Sequence, residues 1–185
     1  MRITTGKYRG FVLQSPKNDS IRPTSDKVKQ ALFNILVNRS ALDGADVLDL
    51  FCGSGALGCE ALSRGAKSVV FIDNGMDSIQ LVRANLSKLK LDQQVLKMDY
   101  LSALKIFRQN STKFDLIFLD PPYNKDMERK ALNFILDNDL LNHGGMISCE
   151  TDANVSLKNL SEKYFVKMDE YSFGNTKLII LEKVL

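Results

Sequence analysis

Apolar positions along the chain alternate between two periods. Short runs rich in Val, Ile, Leu and Phe occupy residues 46–51, 68–73, 94–98, 114–119, 145–150, 163–171 and 176–183, and read as seven strands. Amphipathic stretches at helical spacing lie between most of them, at about 56–64, 76–90, 100–109, 126–138 and 153–161. Strands that alternate with helices in this way predict an α/β fold with a parallel sheet and crossover helices. The last two strands are separated only by Ser172-Phe173-Gly174-Asn175, too short for a crossover, and therefore pair as an antiparallel hairpin. Ahead of the sheet, Pro23 followed by Thr24, Ser25 and Asp26 opens a helix with Val28, Leu32, Ile35 and Leu36 on one face, expected to cover the sheet. The first fifteen residues carry β-branched and aromatic positions around Gly6 and Gly10, which predicts a short β-hairpin. Two units are expected: a hairpin extension over 1–20, standing as an appendage, and the main domain over 21–185.

Length and composition narrow the class. At 185 residues, with 44% hydrophobic and 25% charged residues, the chain is one domain's worth and can bury a sizeable core. No apolar run approaches the ~18 residues that span a bilayer, and the polar start Met1-Arg2-Ile3-Thr4-Thr5-Gly6 lacks the apolar core of a signal peptide, so a cytoplasmic protein without membrane contact is expected. Cys52, Cys59 and Cys149 form no CxxC pair and read as small buried hydrophobes. His143, the only histidine, is expected in a loop before Gly144-Gly145 with no ligand partner at metal spacing, so no metal is expected. The net charge of +3 is unevenly spread. Residues 1–30 hold seven basic residues against Asp19 and Asp26, whereas the remaining 155 hold 18 basic and 20 acidic. Positive charge gathered at one end suggests a local anionic partner, nucleic acid first, with a solvated basic face as the plainer alternative.

The candidate chemistry begins at Gly53-Ser54-Gly55-Ala56-Leu57-Gly58, which follows one expected strand and opens an expected helix. Asp73 stands twenty residues after Gly53, at the end of the next strand. That context fits a nucleoside-binding turn, in which glycines let the backbone approach a ligand and the acid accepts from ribose hydroxyls. Asp49, near the carboxyl end of the first strand, would repel a dinucleotide's pyrophosphate but suits the ammonium and sulfonium of S-adenosylmethionine. It can equally cap the loop by bonding backbone amides. Asp99-Tyr100 follows the third strand, where an Asp can accept from an adenine amino group and an aromatic can pack on the ring; alone, Asp99 reads as a helix N-cap.

Asp120-Pro121-Pro122-Tyr123 directly follows the fourth strand, at the carboxyl edge where open α/β sheets bind ligands. Two prolines stiffen the segment. An exocyclic amine on a nucleobase is a poor nucleophile because its lone pair is delocalised into the ring. The Asp120 carboxylate and a carbonyl of the Pro121-Pro122 segment can hold its two hydrogens and favour developing positive charge on nitrogen. Tyr123 can stack on the base.

The segment Asp49 to Ala66 together with Asp120-Pro121-Pro122-Tyr123 resembles class I S-adenosylmethionine-dependent methyltransferases. More narrowly, Met1-Arg2-Ile3, Gly6, Arg9-Gly10, Leu13, Arg22-Pro23-Thr24, Ala31 to Leu36 and Gly174-x-Thr176-x-Leu178 are similar to the RsmD family, which methylates the N2 amine of a guanine in small-subunit ribosomal RNA. The likeness runs over essentially the whole chain. It departs at Asp73, where that family often has Glu, and at Phe173-Gly174-Asn175-Thr176, where a Tyr-Gly-Asp-Thr-like turn is usual.

The resemblance implies a Rossmann-like class I methyltransferase domain, S-adenosylmethionine as cofactor, and ribosomal RNA or the small ribosomal subunit as partner of a monomeric enzyme. It implies a cofactor site of Thr24, Asp49, Phe51, Cys52, Gly53, Ser54, Gly55, Gly58, Asp73, Asn74, Asp99 and Tyr100. The catalytic segment would be Asp120, Pro121, Pro122 and Tyr123, and RNA would be held by Arg2, Lys7, Arg9 and Arg22. The target guanine must be unpaired or flipped, because a base inside a duplex is unreachable. A DNA adenine-N6 methyltransferase would use the same Asp-Pro-Pro-Tyr, but the chain leaves no room for a target-recognition domain. A non-catalytic RNA-binding assembly factor is opposed by the intact acids, and a dehydrogenase by Asp49 and Asp120.

Overall fold

Strict alternation along the strands sends side chains into two apolar cores, one on each face of a seven-stranded sheet. The computed structural model describes residues 1–15, 26–122, 126–164 and 166–184. Its helices are α1 (Asp26–Asn38), α2 (Ala56–Ser63), α3 (Met76–Leu89), α4 (Tyr100–Gln109), α5 (Met127–Asp137) and α6 (Lys158–Tyr164). Its strands are β1 (Asp46–Asp49), β2 (Ser68–Asp73), β3 (Gln94–Lys97), β4 (Phe114–Leu119), β5 (Leu141–Asp152), β6 (Val166–Phe173) and β7 (Thr176–Lys183). Val47, Phe71, Leu116 and Phe118 enter one core with apolar residues of α1, α2 and α3. Leu48, Ile72, Ile117 and Leu119 enter the other with those of α4, α5 and α6. Successive strand residues point to opposite faces, so strands covered on both sides must be apolar throughout.

The strand order is β3-β2-β1-β4-β5-β7-β6. The first five are parallel, and β7 pairs antiparallel with both β5 and β6. This is the α/β sheet expected from the sequence, with its antiparallel hairpin closed at Gly174 and Asn175 between the paired Phe173 and Thr176. Gly174 takes φ 62°, in the left-handed region a tight hairpin turn requires. The order in which strands are added to the sheet reverses between β1 and β4, which opens a crevice at their carboxyl ends.

Some boundaries differ from the sequence reading. β1 stops at Asp49, because Leu50 and Cys52 turn away while their amides still bond Phe118 O and Ile72 O at 3.2 and 2.9 Å. β5 begins earlier than expected, at Leu141, and its register against β4 slips between the pairs Phe114–Leu141 and Leu116–Met146. His143, Gly144 and Gly145 fall inside this irregular strand rather than in a loop. The helix expected from 153 begins at Lys158 instead. The Asp152 carboxylate accepts from the Asn154 amide at 2.9 Å and holds that stretch in a turn.

The N-terminal segment corrects the picture of an appendage. It folds back through an antiparallel bridge between Arg2 and Val12, but Ile3 and Leu13 are buried in the same core as α1 and α2. The Glu60 carboxylate of α2, fully buried, accepts from the Thr4 amide (2.9 Å), the Thr4 hydroxyl (2.6 Å) and the Thr5 amide (3.2 Å). Lys7 N–H donates to Ser63 O at 2.7 Å, and the Tyr8 amide to Ser63 Oγ at 2.9 Å. A Cβ on Gly6 would stand 1.7 Å from Ser63 O, so only glycine allows this close approach. The boundary expected near residue 20 lies outside the described residues.

Candidate active site

The glycine turn is held on the sheet by the strands beside it. Gly53 and Gly55 take φ 50° and 76°, and the Gly55 amide bonds Cys52 O at 2.6 Å. A Cβ on Gly55 would meet the Val82 methyl at 3.0 Å, so α3 packs close behind the turn. Asp73, at the end of β2, grips the turn from the side: its Oδ2 accepts from the Gly53 amide at 3.0 Å and its Oδ1 from the Gly75 amide at 2.8 Å. Gly58 serves packing, since an added Cβ would lie 2.2 Å from the Phe71 ring. Its amide donates to Asp49 Oδ2 at 3.1 Å.

Asp49 is 3% exposed, and burial raises its carboxyl to about 7 despite the Gly58 bond, with Asp120 and Asp73 adding to the rise. The carboxylates of Asp73 at the end of β2 and Asp120 after β4 thus both act on Asp49 beside the turn. Such a cluster attracts cations and hydroxyl donors and disfavours phosphate. Asp120 is partly exposed, Pro121 is buried and Pro122 is exposed at the mouth of the crevice.

The other expected site residues are placed more variously. Asp99 caps α4, its Oδ1 accepting from the Leu101 and Ser102 amides at 3.0 and 3.2 Å. Tyr100 is buried, its ring against Phe51 with centroids 5.1 Å apart, so half-buried Phe51 lies between the α4 start and the turn. Asn74 is exposed at the end of β2. Ser54 is buried, and its carbonyl accepts from Asn85 Nδ2 at 3.0 Å. Asn85 also exchanges bonds with Gln14, which couples the glycine turn to the N-terminal segment. Cys52, Cys59 and Cys149 are free thiols, buried and raised above the ordinary range by burial, Cys59 to about 12. Arg22, Thr24 and Tyr123 lie outside the described residues. Arg2, Lys7 and Arg9 are exposed, and none forms a side-chain ion pair among the described residues.

The family profile described as Conserved hypothetical protein 95 matches residues 1–182 of the chain. The chain belongs to this family, the RsmD family. Among its relatives, YlbH of Bacillus subtilis is 37% identical over 185 residues, with 99% of each chain covered. Ribosomal RNA small subunit methyltransferase D of Haemophilus influenzae is 35% identical over 159 residues, covering 85% of this chain and 81% of that protein. The solved structure of yhhF from Escherichia coli superposes with a TM-score of 0.85 at 30% identity, covering 100% of this chain and 98% of that one. An RsmD-family chain is a methyltransferase, and its site residues fit S-adenosylmethionine. Asp49 could meet the cationic methionyl end once ionised, Asp73 could accept from ribose hydroxyls, and the left-handed glycines leave the backbone between them open.

Three acids with a clear place in the structure escaped the sequence reading. Glu60 anchors the N-terminal segment from inside α2, where its neighbours in sequence give no hint of that task. Glu128 and Glu150 line a cavity of about 400 Å³ that begins at Pro121. Glu150 carried a usable signal, because it ends an apolar strand run at the carboxyl edge, as Asp49, Asp73 and Asp120 do.

Proposed function

We propose that the protein transfers the methyl group of S-adenosylmethionine to the exocyclic N2 amine of a guanine in small-subunit ribosomal RNA, acting in the cytoplasm on an assembled or assembling subunit. The observation that carries the reading is the convergence of Asp49, Asp73 and Asp120 at the carboxyl ends of the adjacent strands β2, β1 and β4. The name of the Haemophilus influenzae relative supports the substrate class.

When bound, the cofactor supplies an electrophilic methyl on a positively charged sulfur. Asp49 would hold its cationic methionyl end and Asp73 its ribose hydroxyls. Asp120, beyond β4, accepts a hydrogen of the guanine amine, draws the nitrogen lone pair out of conjugation and stabilises positive charge developing there. The N–CH3 bond forms as the S–CH3 bond breaks, sulfur keeps the electron pair, and the amine proton leaves to Asp120 or water. Proline at 121 and 122 fixes the direction of the segment. Arg2, Lys7 and Arg9 present exposed charge for RNA phosphates, with Arg22 assigned the same task from the sequence.

The assignment of Asp120 is tested by Asp120→Ala. Calorimetric affinity for S-adenosylmethionine stays close to wild type, whereas methyl transfer to small subunits lacking the modification falls by a factor on the order of ten to a thousand. Transfer at the wild-type rate would remove Asp120 from the chemistry.

A further inference from the structure

The cavity that starts at Pro121 lies on the opposite side of Asp120 from the glycine turn, between the start of α5 and the end of β5. Asp120 connects the two regions: it acts electrostatically on Asp49 and also, together with Glu128 and Glu150, on the buried thiol of Cys149. At about 400 Å³ the cavity is in the size range of small-molecule sites. Two consecutive residues of α5 give it chemical character. Glu128, in the first turn of α5, is only 7% exposed and lines the cavity. A carboxylate this far withdrawn from bulk water is an acceptor that a ligand N–H entering the cavity can meet. Its neighbour Arg129 also lines the cavity, tied back by an ion pair to Asp126 (3.3 Å) and a bond to Ser156 O (2.9 Å).

We propose that this cavity seats the extruded guanine and that Glu128 is the residue that reads it, accepting the N1–H beside the reacting amine. The inference rests on the proposed guanine-N2 activity. Along a guanine's Watson–Crick edge the groups run N2 donor, N1–H donor, O6 acceptor. Asp120, directly before the cavity's Pro121, and Glu128 and Arg129 in its lining supply the two acceptors and the donor that this edge needs. Adenine presents an unprotonated N1 at the middle place, which a carboxylate repels. Glu128 therefore selects guanine against adenine while Asp120 acts on the amine. A site built to bond one polar group rejects an analogue lacking it, because its own buried group is left unpaired.

The test uses 2-aminopurine, which keeps the reactive N2 amine but has an acceptor at N1. The modified guanine is first mapped with the wild-type enzyme. Small subunits are then reconstituted on ligated RNA carrying guanine or 2-aminopurine at that position, and methyl transfer is measured for wild type, Glu128→Gln and Glu128→Asp. Wild type is expected to prefer guanine by at least about tenfold. Glu128→Gln, whose amide can donate to N1, should lower that preference at least about tenfold, and Glu128→Asp should retain it at a lower rate. Calorimetric affinity for S-adenosylmethionine close to wild type in both variants confirms that the cofactor half is intact. An unchanged preference in Glu128→Gln, with guanine N2 still methylated, overturns the role of Glu128 and leaves the proposed activity standing. Absence of N2 methylation by the wild-type enzyme overturns the activity itself and the inference with it.

Discussion

The Gly58 amide, at the start of α2, donates to the buried Asp49 carboxylate across 3.1 Å, and this hydrogen bond partly offsets the loss of water around that acid. Asp49 therefore carries an elevated pKa of about 7, held up by burial first and by the nearby Asp120 and Asp73 second. A cationic ligand favours the ionised form, so binding draws a proton off Asp49 below that pH. Affinity for S-adenosylmethionine should rise as pH is raised from about 5.5 to 7, by at most roughly tenfold per unit, and level off above. Calorimetry across this range should show the slope in wild type and its loss in Asp49→Asn. In the ligand-free protein the same raised carboxyl makes stability fall as pH climbs from the ordinary carboxylate range through about 7.

Asp73 holds both Gly53 and Gly75 by their amides while presenting its remaining lone pairs to the crevice. Replacement by Ala should weaken S-adenosylmethionine by about 1.5–3 kcal/mol, the range for hydrogen bonds to a charged group. Isothermal titration showing wild-type affinity would take Asp73 out of the cofactor site.

Glu60 is the anchor of the N-terminal segment, and its removal takes from Lys29, 2% exposed and 3.9 Å away, its buried ion-pair partner, leaving it the exposed Asp26 carboxylate and the Arg2 carbonyl. Glu60→Ala should lower unfolding free energy by about 3 kcal/mol in denaturant titration. Burial pushes this carboxyl up, but bonds from the Thr4 hydroxyl and amide and from Arg64 outweigh it and leave it below its ordinary value. Its contribution is thus present above the ordinary carboxylate range and lost as pH falls through the lowered value. The stability difference between wild type and variant should shrink on acidification, which melts at pH 7 and below pH 4 would reveal.

Neutralising Arg2, Lys7 and Arg9 together should leave the fold unchanged, because all three side chains are exposed and outside ion pairs among the described residues. For every RNA phosphate that these side chains neutralise, the substitution should lower the logarithmic salt slope of subunit binding by roughly 0.7–0.9. Equal affinities with parallel slopes would mean that these charges only solubilise the edge of the fold.

Much of this molecule was legible because period and punctuation agreed. The runs at 68–73, 114–119 and 176–183 coincide with strands, since two-sided burial leaves few polar positions inside them to blur the pattern. Glycines at 53 and 55 and the acids that end strand runs disclosed the crevice, because turn chemistry and edge position are local properties. The docking of residues 1–15 was not legible: it depends on Glu60 and Ser63 of a helix more than forty-five residues away, and nothing in Ile3 or Leu13 says which surface will bury them. The sequence presents Gly58 as part of the ligand site, whereas it makes room for Phe71, a partner that only the crossover of α2 over β2 reveals. Glu128 stayed hidden for the same reason, since an acid in the first turn of a helix ordinarily needs no further explanation.

The central claim is that the crevice between β1 and β4 delivers a methyl group to guanine N2 in small-subunit ribosomal RNA. The most direct measurement incubates the wild-type protein with labelled S-adenosylmethionine and small subunits lacking the modification, then digests the RNA to nucleosides and identifies the labelled product. The expected result is N2-methylguanosine as the labelled nucleoside, with none when Asp49 and Asp120 are both replaced by Ala. Label in N6-methyladenosine, or no label in the RNA of any subunit preparation, would contradict the account.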